Sequence, residues 1–352
     1  MKYGILTVAA LAILAQPLSA QRQLFDIGHL DIDWTYADGE WSVNYSDEMN
    51  FPPTNVPVSD GVMVAKSGLF LEGEGSLWPR PSGSAWDFVG VDAGELVWLF
   101  PAFAGEDPIL EPGFATRGVP SGTPNEVRID LVGVDFIGEG VGYVSLFTAP
   151  SLFSPAGQVH MSNFGGIDGQ DFYLMGRGDH RHVDWVFTHR GVYLISLAAS
   201  VQDGADYVTS DPQTLMVAVG LSPMELWLLE MGVDPGELGD ADSPAGDGVA
   251  NLLKYALGLP PLVPVGGPLV APAFVEDGGG QYLALDLALN PQAQGIAVRV
   301  ETSADLADWQ SGEGHTVTLE HTAERIHARD ALAAGDAARR FIRLAVERDG
   351  GE

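Results

Sequence analysis

Two stretches of the sequence place histidine and aspartate in alternation with apolar residues. The first, residues 28–34, reads GHLDIDW. Side chains in a β-strand point alternately to opposite faces, so His29 and Asp31 are expected to share the face opposite Leu30 and Ile32. Imidazole nitrogens and carboxylate oxygens are ligands for Zn²⁺ and other first-row divalent ions. This strand therefore offers candidate metal ligands on one face and core residues on the other.

The second stretch, residues 179–187, reads DHRHVDWVF. Here His180, His182 and Asp184 are expected on one face of a strand, with Val183, Trp185 and Phe187 on the other. A His-x-His pair on one face has its imidazoles about 7 Å apart, which is within reach of a single ion. If the two strands lie close together, one ion could be bound by the residues His29, Asp31, His180 and His182.

Two interpretations of this pattern stay open. Asp31 is either a fourth ligand or a hydrogen-bond acceptor that orients an imidazole. In the alternative interpretation no ion is bound, and the two polar faces are hydrated outer faces of a sheet or structural hydrogen-bonding groups. His160 and His189 lie outside the alternation and are weaker candidates.

An aspartate-rich loop further along resembles a calcium-binding loop, with candidate ligands Asp240, Asp242, Asp247 and Asn251. When Asp247 is placed at position 5 of such a loop, Lys254 stands at position 12, where calcium requires a bidentate glutamate. The sequence therefore disfavours calcium and predicts a metal-free helix–loop–helix.

The elements that carry these residues differ along the chain. Short alternating runs, separated by turn residues such as Asp38-Gly39, predict strands throughout residues 21–219. At Ser222, a capping box with Glu225 predicts the start of a helix. A second helix is predicted over 249–257, with Asp247 as its N-terminal cap.

These patterns predict a mainly β protein with three parts. We expect an antiparallel β-sandwich domain over 21–219, a short two-helix connector over 220–262, and a small C-terminal β-sandwich over 263–352. Residues 1–20 have a basic start, the apolar run Leu6–Ala15 and a small-residue cleavage site, so they are predicted to be a signal peptide. The mature chain is therefore expected to be exported, in the periplasm, at the cell surface or secreted, with no membrane span.

Composition narrows the classes of partner. The 352 residues include 48 acidic and 17 basic side chains, for a net charge of -31, and no cysteine. A protein with this net negative charge repels nucleic acid and attracts divalent cations. Disulfides, thiolate metal sites and cysteine nucleophiles are excluded. We found no sequence motif of a known catalytic centre.

The N-terminal part resembles the choice-of-anchor M domain over residues 24–219. The similarity rests on FDIGHLDIDWTYADGEWSVNY at 25–45 and on HRHVDWVFTHRGVY at 180–193, which has the form H-x-H-x-x-W-x-F-T-x-x-G-x-Y. Segments at 86–90, 95–103 and 112–116 resemble the middle of that domain. Members are exported β-rich surface proteins, and some look linked to transition-metal ABC transporters. The resemblance therefore strengthens the expectation of a metal site.

The C-terminal part is similar to an accessory module of large exported bacterial proteins. The matching motifs are D-G-x-x-N-L-L-x-Y-A-L-G at 247–258, S-x-D-L-x-x-W at 303–309 and R-F-x-R-L at 340–344. The anchor of choice-of-anchor proteins is not recognisable, which leaves the mode of surface retention open.

Three functions remain in competition. The first is a non-catalytic surface or secreted module with an unidentified envelope partner, binding Zn²⁺ or another divalent transition metal. The second is a carbohydrate- or wall-associated adhesion module that uses exposed aromatic side chains. The third, and weakest, is an extracellular hydrolase with a carboxylate pair or a metal-bound water.

Overall fold

The computed structural model describes residues 21–49, 52–105, 108–149, 157–336 and 339–349. These residues form mainly β-structure arranged in several sheets, so the mainly β prediction is confirmed. The predicted signal peptide, residues 1–20, lies outside the described residues.

The strands before the connector are short and follow one another closely. They are β1 (Gln23–Phe25), β2 (Gly28–Ala37), β3 (Glu40–Asp47), β4 (Thr54–Pro57), β5 (Gly61–Ala65), β6 (Leu77–Pro79), β7 (Leu96–Phe100), β8 (Leu110–Gly118), β9 (Val127–Gly138), β10 (Val144–Thr148), β11 (Gln158–Ser162), β12 (Phe172–Met175), β13 (His180–His182), β14 (Asp184–Phe187), β15 (Gly191–Asp203), β16 (Asp206–Thr209) and β17 (Gln213–Val219). Short 3-10 helices lie at Val58–Asp60, Phe70–Glu72 and Ser84–Val89.

These strands form three sheets. The largest has the order β1-β5-β17-β15-β9-β12, with β16 paired to β15. The second has the order β11-β10-β14-β7-β6, and the third β13-β8-β2-β3-β4. Most neighbours are antiparallel, but β1 and β17 each pair with β5 in parallel, and β2 pairs with β8 in parallel. The parallel pairing of β2 with β8 determines which residues lie opposite each other at the candidate site.

The core between the sheets is built from the inward faces that alternation predicts. Trp34, Phe114, Trp185 and Tyr193 are completely buried. The rings of Phe114 and Trp185 are stacked with centroids 5.6 Å apart, which packs the sheet of β8 against the sheet of β14. Burial of each such large side chain contributes about 1.5–3 kcal/mol.

The connector contains two short α-helices, α1 (Pro223–Glu230) and α2 (Asn251–Leu257), with a 3-10 helix at Pro235–Glu237 between them. The predicted capping box is confirmed, because the Ser222 hydroxyl accepts from the Glu225 amide and the Glu225 carboxylate accepts from the Ser222 amide. Neither α-helix in the described residues has the length and apolar character needed to cross a membrane.

The predicted cap of the second helix is wrong. Ala250 precedes α2 without a side-chain cap, and Asp247 makes other contacts. Both helices pack through Met224, Leu228 and Tyr255 against Val64 of β5, in a cluster that joins the connector to the large sheet.

The C-terminal strands form a four-stranded sheet, in the order β18-β19-β22-β21, and a two-stranded sheet of β20 and β23. They are β18 (Ala273–Asp277), β19 (Gly280–Ala288), β20 (Ile296–Ser303), β21 (Thr316–His321), β22 (Arg325–Ala333) and β23 (Phe341–Arg348). Leu285, Val300, Ile326 and Ile342 form a core between the two sheets.

Candidate metal centre

The four predicted metal ligands come from two strands that are not paired with each other. His29 and Asp31 lie on β2, His180 and His182 lie on β13, and β8 runs between them. Asp31 pairs with Gly113 of β8 from one side, and His182 pairs with the same glycine from the other. Asp31 and His182 therefore face each other directly across β8.

Gly113 makes this convergence possible because it has no side chain on the shared face. A Cβ atom at this position would lie 2.6 Å from His182 Nε2 and 2.8 Å from Asp31 Oδ1. Gly113 lies in the 112–116 segment that resembles the choice-of-anchor M domain, but it was not among the predicted site residues. A glycine inside a strand, which often marks the close approach of a ligand, was the available signal.

The donor atoms form a compact cluster. The Nε2 atoms of His29, His180 and His182 are separated by 3.1, 2.9 and 3.0 Å. Asp31 Oδ1 lies 3.4, 3.0 and 3.6 Å from the same three nitrogens. A regular tetrahedron around Zn²⁺, with bonds of 2.0–2.1 Å, has edges of about 3.3–3.4 Å. The four atoms therefore have close to the spacing of a tetrahedral ligand set, and this group could hold a metal ion.

Hydrogen bonds alone do not satisfy the cluster. Asp31 Oδ1 is buried and has no hydrogen bond of suitable geometry, although three ring nitrogens surround it. Three mutually close Nε2 atoms cannot each find a complementary partner, since a neutral imidazole nitrogen is either a donor or an acceptor. A central cation would interact favourably with all four lone pairs.

Burial and neighbouring charges shift the protonation of these groups. Burial, together with the proximity of His29, lowers the pKa of His182 to about 4. Burial alone would raise the pKa of Asp31, but the adjacent His29 imidazole and the charges of His180 and Arg117 lower that pKa to about 2. The adjacent Asp31 carboxylate raises the pKa of His29. Asp31 is thus held as a carboxylate and His182 as a neutral imidazole, the forms that bind metal.

A second layer of charged side chains surrounds the ligands. Arg117, after Gly113 on β8, donates from Nη2 to Asp31 Oδ2 over 2.7 Å, and the same nitrogen forms an ion pair with Glu48 Oε1 at 2.8 Å. Glu48 Oε2 lies 3.8 Å from His29 Nε2. Glu111 of β8 pairs directly with His29 of β2, but its carboxylate accepts from the amides of Ala104 and Gly105. These three residues were not predicted from the sequence, because they are separated from the ligands along the chain.

The second histidine segment differs from its prediction in one respect. Residues 180–187 are two strands in different sheets, since β13 pairs with β8 whereas β14 pairs with β10 and β7. Asp184 therefore does not continue the His180 and His182 face, and its carboxylate accepts from the amides of Ala102 and Ala149.

The two weaker histidine candidates lie elsewhere. His160 Nε2 is 2.8 Å from the Thr148 hydroxyl, and His189 Nδ1 is 2.8 Å from the Thr188 hydroxyl. Within the described segments, the group around Asp31 is the one set of three or more such side chains that could hold an ion.

The candidate calcium ligands are engaged in other contacts. Asp240 forms an ion pair with Arg348, with Nη2 and Oδ1 2.6 Å apart. Asp242 accepts from the amide of Gly239. The side-chain amide of Asn251 donates to the carbonyls of Glu237 and Gly239.

Asp247 binds an internal cation. The Lys254 ammonium, which is completely buried, lies 2.9 Å from Asp247 Oδ2 and donates to the carbonyls of Pro261 and Val263 over 3.0 and 3.1 Å. Asp247 also accepts from the amides of Val249 and Val265. The ammonium thus has the carboxylate and carbonyl contacts that a calcium ion would take in such a loop.

Comparison with known proteins adds no assignment. No protein-family model matches the chain. A search of the curated proteins finds no significant match. The similarity to choice-of-anchor M domains therefore stays a prediction from the sequence motifs, and the site is interpreted from its geometry.

Proposed function

We propose that the protein is an exported, non-catalytic binding module that holds one divalent transition-metal ion at His29, Asp31, His180 and His182. The spacing of the four donor atoms is the observation that carries this proposal. Export rests on the predicted signal peptide, and an envelope or surface partner remains part of the proposal.

Zn²⁺ fits this donor set best. Three imidazoles and one carboxylate match the nitrogen and oxygen ligands that Zn²⁺ accepts in tetrahedral sites. Ca²⁺ and Mg²⁺ require six or more oxygen ligands, and Cu²⁺ favours a tetragonal arrangement. The acidic chain supports the proposal further, because a net charge of -31 raises the local concentration of divalent cations.

The ligand count favours a binding role over hydrolysis. Catalytic zinc sites generally have three protein ligands and leave the fourth position to water or substrate. Here the protein supplies four donors, and the Asp31 side chain is held in place by Arg117. A bound ion would link the edge strand β13 to β2 across the intervening β8.

The adhesion alternative has no comparable support. Phe103, Tyr207 and Phe274 are exposed aromatic side chains, but they lie on a loop, on β16 and on β18, respectively. No specific observation in the described residues joins them into one binding surface.

Metal analysis of the purified mature chain tests the proposal. After dialysis against Zn²⁺ and removal of free metal, we expect one zinc per chain by elemental analysis. His182→Ala should weaken binding by more than about tenfold, since it removes a ligand. His321→Ala, which changes an exposed histidine on β21, is the matched control and should bind like the wild type. Zinc binding that is absent, or that is equal in both variants, would refute the proposal.

A further inference from the structure

The candidate site is open to solvent on one side only. Asp31 has no exposed surface and the His182 side chain is 12% exposed, whereas the side chains of His29 and His180 are 32% and 33% exposed. An ion arriving from solvent must therefore approach past His29 and His180, and it reaches Asp31 last.

Glu48 lies on this open side. Its amide donates to the carbonyl of His29, which fixes its backbone beside the first ligand of β2. Its side chain is 30% exposed, and Oε2 lies 3.8 Å from His29 Nε2. Glu48 is thus a half-exposed carboxylate adjacent to an exposed ligand nitrogen.

Arg117 contacts both the Asp31 and the Glu48 carboxylates, each through one of its two oxygens. The Nη2 group donates to one oxygen of Asp31 and forms an ion pair with one oxygen of Glu48. The other oxygen of each carboxylate, Asp31 Oδ1 and Glu48 Oε2, lies within 4 Å of the ring nitrogen of His29. One carboxylate oxygen is therefore held inside the site and another at its rim.

We infer that Glu48 is the exchange ligand of this site, the carboxylate that binds the ion while it enters and leaves. This inference rests on the proposed function. The incoming ion first binds Glu48 Oε2 and His29 Nε2, and then exchanges the Glu48 oxygen for Asp31 Oδ1 as His180 and His182 bind. Release follows the same steps in reverse. Zinc accommodates such an exchange because its coordination number rises readily from four to five.

Glu111 provides a matched control. Like Glu48, Glu111 carries a negative charge and lies beside His29. Glu111 belongs to β8, on one side of β2, whereas Glu48 follows β3, on the other side. Its carboxylate, however, accepts from the amides of Ala104 and Gly105. Replacing Glu111 removes a nearby negative charge without removing an oxygen from the path of the ion.

Metal exchange kinetics separate the two roles. We would measure zinc uptake, and zinc release to an excess of chromogenic chelator, by stopped flow for the wild type, Glu48→Gln and Glu111→Gln. Glutamine keeps an acceptor for Arg117 but lacks the charge. In Glu48→Gln we expect both rates to fall about tenfold while the equilibrium affinity changes less than about threefold. Glu111→Gln should keep both rates within about threefold of the wild type.

Each other outcome is decisive. Unchanged rates in Glu48→Gln would overturn the inference and leave the proposed function intact. Faster release with unchanged uptake would show that Glu48 only stabilises the bound ion, and slower uptake with unchanged release would show that its charge only attracts the ion; either result also overturns the inference. A wild-type protein that takes up no zinc would refute both. Equal circular dichroism spectra and melting temperatures of the metal-free proteins would establish that the variants are folded.

Discussion

Replacing Gly113 by alanine should strongly weaken metal binding while leaving the fold intact. The new Cβ would lie 2.6 Å from His182 Nε2 and 2.8 Å from Asp31 Oδ1, whereas ordinary contact begins at 3.4 Å, so these atoms must move by about 0.6–0.8 Å. Metal–ligand distances tolerate deviations of only about 0.2 Å. Two of the four ligands are displaced, and we expect the affinity to fall at least about a hundredfold.

The effect can be read from thermal unfolding. At a free zinc concentration of about 100 times the wild-type Kd, binding stabilises the wild type by about 2.7 kcal/mol. This corresponds to a rise in Tm of about 5–10 °C for a domain of this size. Gly113→Ala at the same zinc concentration should gain about 0.4 kcal/mol, or about 1–2 °C.

The control for this experiment is Gly133→Ala, which adds a methyl group on β9. Its Cβ would meet only Ser196 Cβ, at 4.0 Å. The control should keep the full zinc-dependent rise in Tm. If Gly113→Ala kept it as well, the ion would not bind above Gly113, and the geometric reasoning would be wrong.

Two further predictions concern the buried ion pair of the connector. Lys254→Met should lower the free energy of unfolding by about 3–5 kcal/mol in chemical denaturation, because it leaves the Asp247 carboxylate buried without its cation. The melting temperature of the zinc-free wild type should not change with EDTA, because Lys254 supplies the cation. A fall in melting temperature with EDTA that calcium restores would contradict this. Acidification should weaken the same contact: burial would raise the pKa of Asp247, but Lys254 and the amides of Val249 and Val265 lower it below its usual range. The stabilisation is therefore complete above about pH 4 and is lost as the pH falls below that value. The stability difference between the wild type and Asp247→Asn, measured at pH 7 and pH 3, should shrink at the lower pH, and a constant difference would refute the assignment.

The sequence predicts which side chains of the strands that carry the site are buried, but it does not predict which strands lie beside them. Alternation correctly predicts that Leu30 and Trp34 are buried, as are Val183 and Trp185, because the period of two is a local property of a strand. It does not specify the strand that lies between β2 and β13. That strand, β8, contributes Gly113, and its parallel register with β2 depends on contacts about 80 residues apart.

The same distinction explains the two differences from prediction. Residues 180–187 keep their alternation through Val183, but pairing partners change there, so one predicted strand became two. The capping box of Ser222 and Glu225 is local and was predicted correctly. Asp247 instead has partners at Lys254 and Val265, which a local capping rule does not consider.

The buried Lys254 ammonium has a consequence for how the connector responds to its surroundings. A cation carried on a side chain is present once per chain, at an effective concentration that neither dilution nor a chelator changes. The ion pair with Asp247 therefore forms whenever helix α2 forms, whatever the level of calcium in the surrounding solution. The segment of the two helices needs no external supply of ions, and for the same reason this contact cannot sense calcium.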